Sequence, residues 1–383
     1  MKLRAALFAL SVCAAGCSLF GGSVERTIRS AGSDPRDTLW RVVDELAQRV
    51  RGRGDSALDM LALSGGGQNG AYASGFLRGW RERTANPLPS FDLVTAVGSG
   101  TLQAPFALLG TKEALERSAE LYRDSAITLA STPETWFELR ASGSTGTGSY
   151  ERLVKRAVDE SLREQLRPVF GERRQLAIAT TDLDLGVRRI WDFGHELGTN
   201  DKALERAQSL LVAAVSVPGA MEPVVIDDHV HATGALQGNL LIPFELEHYR
   251  ALANRLHNSG VTGTLQIRLW VLLNSFTQPA IYRADAKDRE ELGERGGSLA
   301  FIASQSDLVE RLTNLAYAVN GGVSGLKIQL KLTNIPSELA EQAGISDDYD
   351  RRWMAQLEQV GYDRAMGDSA WDRVVSASSN GSK

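Results

Sequence analysis

The sequence LALSGGGQNGA at residues 61–71 places an apolar run directly before three consecutive glycines. The apolar run predicts a buried strand, and the residues after the glycines predict a helix. Glycines let the backbone turn sharply and leave N–H groups uncovered at the start of a helix, where the dipole favours negative charge. We therefore predict a loop that binds a phosphate or an oxyanion, formed by Gly65, Gly66, Gly67 and Gly70.

Two common phosphate-binding loops do not fit these residues. No Lys-Ser or Lys-Thr pair follows the glycines, which excludes a P-loop, and the glycine spacing excludes a dinucleotide-binding fingerprint. The alternative is a glycine turn that only connects two elements and holds no ligand.

A second strand, turn and helix follow at residues 91–105, FDLVTAVGSGTLQAP. This arrangement has the shape of a nucleophile elbow, in which a tight turn presents a side chain at the start of a helix. Strands and helices continue to alternate, which is typical of a parallel sheet covered by helices on both faces. The sequence therefore predicts an α/β fold in one large domain.

The hydrophobic pattern predicts the following elements. Strands are expected at residues 58–63, 91–97, 175–181, 188–192, 265–273 and 326–332. Helices are expected at residues 39–51, 70–83, 101–109, 115–122, 150–166, 202–214, 300–319 and 348–366. The polar, glycine-rich residues 132–149 predict a long surface loop.

At these motifs the chain resembles the patatin-like phospholipases. The glycine loop matches their oxyanion loop, and SVPGAMEPV at residues 216–224 matches a segment before their catalytic aspartate. TTDLD at residues 180–184 and GYDRA at residues 361–365 are similar to a bacterial lipoprotein branch of the family. The resemblance covers roughly residues 57–373. It implies a three-layer α/β sandwich with a mostly parallel central sheet, and a serine lipid acyl hydrolase that needs no histidine.

The chain departs from the family at both catalytic positions. Family members carry a serine in Gly-x-Ser-x-Gly and an aspartate in Asp-Gly-Gly or Asp-Gly-Ala. Here the elbow places Gly98 at the serine position, and the second motif falls on Thr233, or on Ala232 in the alternative register. Because the two residues act as a unit, losing both disables the covalent route. We expect an inactive homologue that binds a lipid, an acyl ligand or an envelope protein through the retained cleft.

The alternative is an active lipid acyl hydrolase with a displaced nucleophile. Ser99 lies one residue past the turn tip, and His229 or His231 would act as its general base. We favour the interpretation that Ser99 caps the following helix, because a shift of one residue moves the hydroxyl away from the productive position. A third reading is an envelope scaffold that has no ligand at the glycine loop.

No metal or cofactor is expected. Asp182 and Asp184 lie two residues apart, but their motif contains no histidine or third carboxylate, so we interpret them as strand-end and turn residues. His248 and His257 lie in a polar helical stretch and are expected to be solvated.

The amino terminus has the pattern of a secretion signal. Lys2 and Arg4 precede an apolar stretch at residues 5–15, and AAGC at residues 14–17 resembles a bacterial lipobox. We therefore expect cleavage before Cys17 and acylation of that cysteine, with a plain signal peptide or an accidental cysteine as the alternative. Ser18 suggests sorting to the outer membrane, on its periplasmic face or at the surface. The expected parts are a signal peptide at 1–16, a lipidated tether at 17–35, a patatin-like domain at 36–375 and a flexible tail at 376–383.

Composition excludes several other functions. The 42 basic and 47 acidic residues are scattered, so the clustered positive face that nucleic-acid binding needs is missing. The only two cysteines, Cys13 and Cys17, precede the body of the protein, which excludes disulfides, thiolate metal sites and cysteine nucleophiles there. The expected partners are a membrane, reached through the lipidated Cys17, a lipid or acyl ligand, and an envelope protein.

Overall fold

The computed structural model describes residues 35–54, 56–123, 148–218, 221–222, 224–281, 283–343 and 350–376. Cys17, the signal peptide and the tether up to residue 34 lie outside the described residues. So do residues 132–147 of the expected surface loop and the tail from residue 377. No helix in the described ranges has both the length and the apolar character needed to cross a bilayer.

Nine strands in the described ranges form one sheet. They are β1 (Ala57–Leu63), β2 (Leu93–Val97), β3 (Gln175–Asp182), β4 (Val187–Asp192), β5 (Val224–Ile226), β6 (His229–Thr233), β7 (Leu265–Leu273), β8 (Leu326–Asn334) and β9 (Arg373–Val375). The order is β5-β6-β3-β2-β1-β7-β8-β9, and β4 pairs with β3 beside that path. The central strands β3, β2, β1, β7 and β8 run parallel, whereas β4, β6 and β9 pair antiparallel with their neighbours.

Helices flank this sheet. They are α1 (Pro35–Arg53), α2 (Gly70–Glu82), α3 (Gly100–Leu109), α4 (Lys112–Arg123), α5 (Gly148–Ala157), α6 (Glu160–Gly171), α7 (Phe193–Leu197), α8 (Asp201–Val215), α9 (Leu246–Asn258), α10 (Arg289–Gly322), α11 (Ala340–Ala343) and α12 (Arg351–Met366).

The helices lie on both faces of the sheet, and β1 shows why. Leu61 and Leu63 pack into one apolar cluster with residues of α2, α3 and α12. Met60 and Ala62 pack into a second cluster with residues of α1, α9 and α10. Successive side chains of a strand point to opposite faces, so an apolar strand such as β1 requires cover on both sides. The predicted three-layer α/β fold with a mostly parallel central sheet is confirmed.

Two of the expected helices and the expected surroundings of His248 differ from the structure. The single helix predicted at 150–166 is two helices, because the Asp159 carboxylate accepts a hydrogen bond from Leu162 N (2.8 Å) and begins α6. The helix expected at 300–319 is the longer α10. His248 is buried rather than solvated, since its ring lies 4.3 Å from that of Trp40 and 5.7 Å from that of Phe244. Strands β5, β6 and β9 were not predicted.

The GYDRA segment fixes the position of α2, which follows the glycine loop. Gly361 lies against α2 so closely that a Cβ atom there would be 2.1 Å from the carbonyl oxygen of Tyr72. Gly75 on α2 approaches α12 in the same way, with the Glu358 carbonyl oxygen 1.8 Å from its Cβ position. These two glycines let the helix backbones meet, and this contact holds α2 in place.

Candidate active site

The turn between β2 and α3 has the geometry of a nucleophile elbow. Gly98, at its tip, has a φ of +53°, a left-handed conformation that L side chains rarely adopt. Its carbonyl oxygen accepts hydrogen bonds from the amide of Thr101 (3.0 Å) and from the hydroxyl of Thr101 (2.6 Å). The chain therefore keeps the tight turn that presents a nucleophile, with a residue that has no side chain at its tip.

The structure brings three of the expected site residues together around this tip. A Cβ atom on Gly98 would lie 3.0 Å from Gly65 Cα and 3.7 Å from Thr233 Oγ1. Thr233 pairs with Thr180 of β3, whereas Ala232 pairs with Thr181. Because neighbouring residues of a strand face opposite sides of the sheet, the geometry supports the register that places Thr233, not Ala232, opposite the elbow.

Thr233 is tied into the backbone around it. Its hydroxyl accepts from Ala235 N (3.3 Å), its amide donates to Ser216 O (2.8 Å), and its carbonyl oxygen accepts from the hydroxyl of Thr181 (2.9 Å). Ser216 opens the segment at 216–224, of which residues 219, 220 and 223 lie outside the described ranges. The side chain facing the elbow is therefore a neutral hydroxyl, which is neither a carboxylate nor a general base at neutral pH.

The predicted anion-binding glycines differ in whether their backbone N–H groups already donate a hydrogen bond within the protein. Gly65 N donates to Asn239 O (3.2 Å), and Gly70 N points at the carbonyl oxygens of Gln68 and Gly67. In the part of the chain that the structure describes, the N–H groups of Gly66 and Gly67 donate to no other group. Both residues are partly exposed. The loop therefore offers two adjacent amides to an external acceptor at the entry to α2.

Two asparagines that the sequence analysis missed hold this loop. Asn239 Nδ2 lies 3.2 Å from Gly65 O and 3.1 Å from the side-chain oxygen of Gln305. Asn274 donates from its side-chain Nδ2 to Ser64 O (3.0 Å), and its backbone N–H donates to Ser64 Oγ (2.8 Å). The only signal of this role is that Asn274 directly follows the apolar run of β7, where the chain reaches the same edge of the sheet. The loop is thus fixed by buried neutral groups.

Ser99 occupies the N-cap position of α3, but its side chain makes no capping hydrogen bond, so the expected cap is wrong. Its hydroxyl is buried and has no hydrogen-bond partner among the described residues. His231 Nδ1 instead lies 3.0 Å from Thr180 Oγ1, and His229 Nδ1 lies 2.8 Å from Asp182 Oδ2. Burial lowers the pKa of His231, because the charged imidazolium is poorly solvated there. The structure thus brings neither histidine into hydrogen-bonding contact with Ser99.

Asp182 and Asp184 have a neighbour that the sequence motif does not contain. His229, from β6, lies beside them, and one ligand atom from each of the three residues falls within 4.8 Å of the others. The carboxylates also have structural roles, because Asp182 Oδ1 accepts from Asp184 N (3.1 Å) and Leu185 N (3.0 Å). Asp184 Oδ2 accepts from Val230 N (2.8 Å). As expected, Asp182 is a strand-end residue and Asp184 is a turn residue, and the histidine beside them comes from another strand.

Comparison with known proteins matches one part of the chain to a family. No curated protein sequence matches the chain. A solved structure that is similar is VipD from Legionella pneumophila, with 11% sequence identity and a TM-score of 0.33 over 80% of this chain and 67% of that chain. The family model for patatin-like phospholipases matches residues 61–245, which run from β1 through the glycine loop, the elbow and Thr233 to the start of α9. On this match, residues 61–245 form a patatin-like phospholipase domain.

Proposed function

We propose that this protein is a catalytically inactive patatin-like phospholipase homologue that binds a lipid or acyl ligand at its glycine loop. The observation that carries the proposal is the pair of residues facing each other at the elbow. Gly98 has no side chain, and Thr233 Oγ1, 3.7 Å from the Gly98 Cβ position, is a neutral hydroxyl. Acyl transfer by the family route needs a nucleophile and a base at these positions.

The rest of the site suits binding better than turnover. The free amides of Gly66 and Gly67 stand where an oxyanion, a carboxylate or a phosphate would accept hydrogen bonds. Such donors stabilise a bound anion whether or not a reaction follows. We therefore expect this loop to favour a ligand that carries an anionic group and an acyl chain.

Acylation of Cys17 would place this site beside its ligand. We propose a lipid-anchored protein of the bacterial outer membrane, on the periplasmic face or at the surface, because the residues before Cys17 have the lipobox pattern. The acidic excess of the chain contributes little attraction to anionic headgroups, so the acyl chains would provide the anchoring.

A fluorophosphonate, which modifies only activated serines, tests for the absence of a nucleophile. We expect the intact mass of the purified protein to be unchanged after exposure, alongside a catalytically intact patatin that is labelled. An adduct that disappears in Ser99→Ala would instead establish the alternative, an acyl hydrolase with a displaced nucleophile.

Restoring both side chains tests whether the site geometry is retained. In the double variant Gly98→Ser/Thr233→Asp, the hydroxyl and the carboxylate come within hydrogen-bonding reach, since the Cβ position is already 3.7 Å from Thr233 Oγ1. We expect hydrolysis of p-nitrophenyl butyrate at least about 10²-fold above wild type, the usual minimum for a positioned general base. Each single variant should stay near the wild-type background. A folded double variant with background activity would show that the two positions no longer form a working pair.

Sedimentation with phosphatidylglycerol vesicles tests ligand binding at the loop. We expect the protein without acyl chains to bind these vesicles and Gly66→Ala to lose that binding, because a Cβ there would be 2.2 Å from Asn274 O and would displace the loop. Gly296→Ala, which has open space around its Cβ position, is the matched control. Equal sedimentation of both variants would favour the scaffold reading, in which the loop holds no ligand.

A further inference from the structure

A cavity lies at the end of α2 that is opposite to the glycine loop. The thirteen residues of α2 span about 20 Å at 1.5 Å per residue, which separates the two places. The cavity has a volume of about 220 Å³. Its lining comes from α2, β7, β8 and the carboxyl-terminal residues: Phe76, Trp80, Arg83, Asn86, Trp270, Lys331, Ala365, Asp368, Ala370, Trp371 and Val374.

Three tryptophans form its wall. The ring centroids of Trp80 and Trp270 are 4.8 Å apart, and that of Trp371 lies 5.1 Å from each of them. The first two rings are held in place, because Trp270 Nε1 donates to Asp59 Oδ1 (2.9 Å) and Trp80 Nε1 donates to Asn86 O (3.0 Å). The wall is therefore a fixed aromatic surface, of which the partly exposed Trp371 forms the accessible part.

Two cations line the same cavity, and the described residues provide neither of them with a carboxylate partner. Lys331 Nζ lies 4.7 Å from the ring centroid of Trp270, and Arg83 donates to Ala365 O (3.2 Å). Among the residues that the structure describes, neither side chain forms an ion pair, and Asp368 is the one acidic residue in the lining. Burial, together with repulsion from Arg268 and Arg83, lowers the pKa of Lys331. An anion bound here would offset this repulsion.

We propose that this cavity binds a small organic carboxylate whose apolar part is one aromatic ring or a short acyl chain. A cavity of about 150 Å³ already admits benzene, so about 220 Å³ accommodates a ring and a carboxylate. The ring would stack on the tryptophans, and the carboxylate would accept charge-assisted hydrogen bonds from Lys331 and Arg83. This site is independent of the glycine loop and of whether the protein is an enzyme.

Titration of the full-length protein with benzoate, followed by tryptophan fluorescence and calorimetry, tests the proposal. We expect saturable binding of benzoate, and binding at least about tenfold weaker for benzamide, which has the same shape without the charge. Lys331→Gln should weaken benzoate binding by about tenfold, and Lys331→Arg should retain most of it. Lys202→Gln, which removes an exposed cation on α8, is the matched control and should leave binding unchanged.

Equal affinity for benzoate and benzamide would overturn the proposal, and so would the absence of a saturable signal. Unchanged benzoate binding in both Lys331→Gln and Arg83→Gln would do the same. Thermal unfolding of each variant separates loss of the site from loss of the fold, and Arg83→Gln provides a second test if Lys331→Gln unfolds.

Discussion

The two ends of strand β2 differ in how they use charge. Before the strand, the buried carboxylate of Asp92 accepts hydrogen bonds from Arg49 Nε (2.6 Å), Arg53 Nη1 (2.8 Å) and Asp59 N (2.8 Å). After the strand, Gly98 faces a neutral threonine hydroxyl. The amino end thus keeps a fully partnered buried charge, whereas the two described residues that face each other at the carboxyl end are neutral.

This difference separates what the fold requires from what catalysis requires. Asp92 joins α1, through Arg49 and Arg53, to the start of β1, so its loss would remove the nearest carboxylate from the buried Arg49 and the side-chain acceptor of Asp59 N. Gly98 and Thr233 can be neutral without any such penalty, because neither of them leaves a buried charge without its counter-charge. A fold stabilised in this way can lose catalytic residues and still form.

The largest expected effect follows from breaking the charged end. Asp92→Ala should lower the free energy of unfolding by about 3–5 kcal/mol, the usual result of removing one partner of a buried ion pair. Urea denaturation monitored by circular dichroism measures this change. Asp307→Ala, an exposed carboxylate on α10, is the control and should stay within about 0.5 kcal/mol of wild type. Similar losses in the two variants would contradict a special role for the charged end.

Much of this fold could be predicted from the sequence, because its central strands are buried on both faces. Strand β7 was predicted at its observed bounds, residues 265–273, since nearly all of its residues are apolar. The elbow and the glycine loop could be located because each requires glycine. A positive φ at the elbow, and close approach of other backbone atoms at the loop, favour a residue without a side chain. Local patterns therefore located one side of the candidate site.

The other side depends on contacts between segments that are distant in the chain. The pairing of β6 with β3 decides that Thr233 rather than Ala232 faces Gly98, and it also brings His229 beside Asp182. Strand β6 has five residues of mixed polarity, so no periodic pattern marks it. The support of the glycine loop by Asn239 is likewise a tertiary contact, which no spacing in the sequence reveals.

A smaller loss of stability is expected from a substitution in the glycine loop, which lies beside the neutral Gly98 and Thr233. Gly66→Ala places a Cβ 2.2 Å from the backbone oxygen of Asn274, so the loop must shift, and we expect a loss of about 1–3 kcal/mol in unfolding free energy. Gly296→Ala, inside α10, should be neutral or slightly stabilising in the same urea titration. If Gly66→Ala matched this control, the loop would not be the rigid element described above.

The smallest expected effect is a pH dependence of stability that comes from His231, a buried histidine two residues before Thr233. Burial and the nearby Arg189 and His229 lower the pKa of His231, and Asp182 opposes this shift. The unfolded chain therefore binds the proton more readily, so stability should fall as the pH drops below about 6.5, by at most about 1.4 kcal/mol per pH unit.

His231→Phe removes this titration while keeping a ring beside Trp191, whose centroid is 5.6 Å from that of His231. We expect its unfolding free energy to change less than that of wild type between pH 7 and pH 5, in urea titrations at each pH. Some dependence should remain, because burial also lowers the pKa of His248. Parallel pH curves for the two proteins would mean that His231 accepts its proton equally well in the folded and unfolded states, and that the carboxyl end of the sheet tolerates a charge.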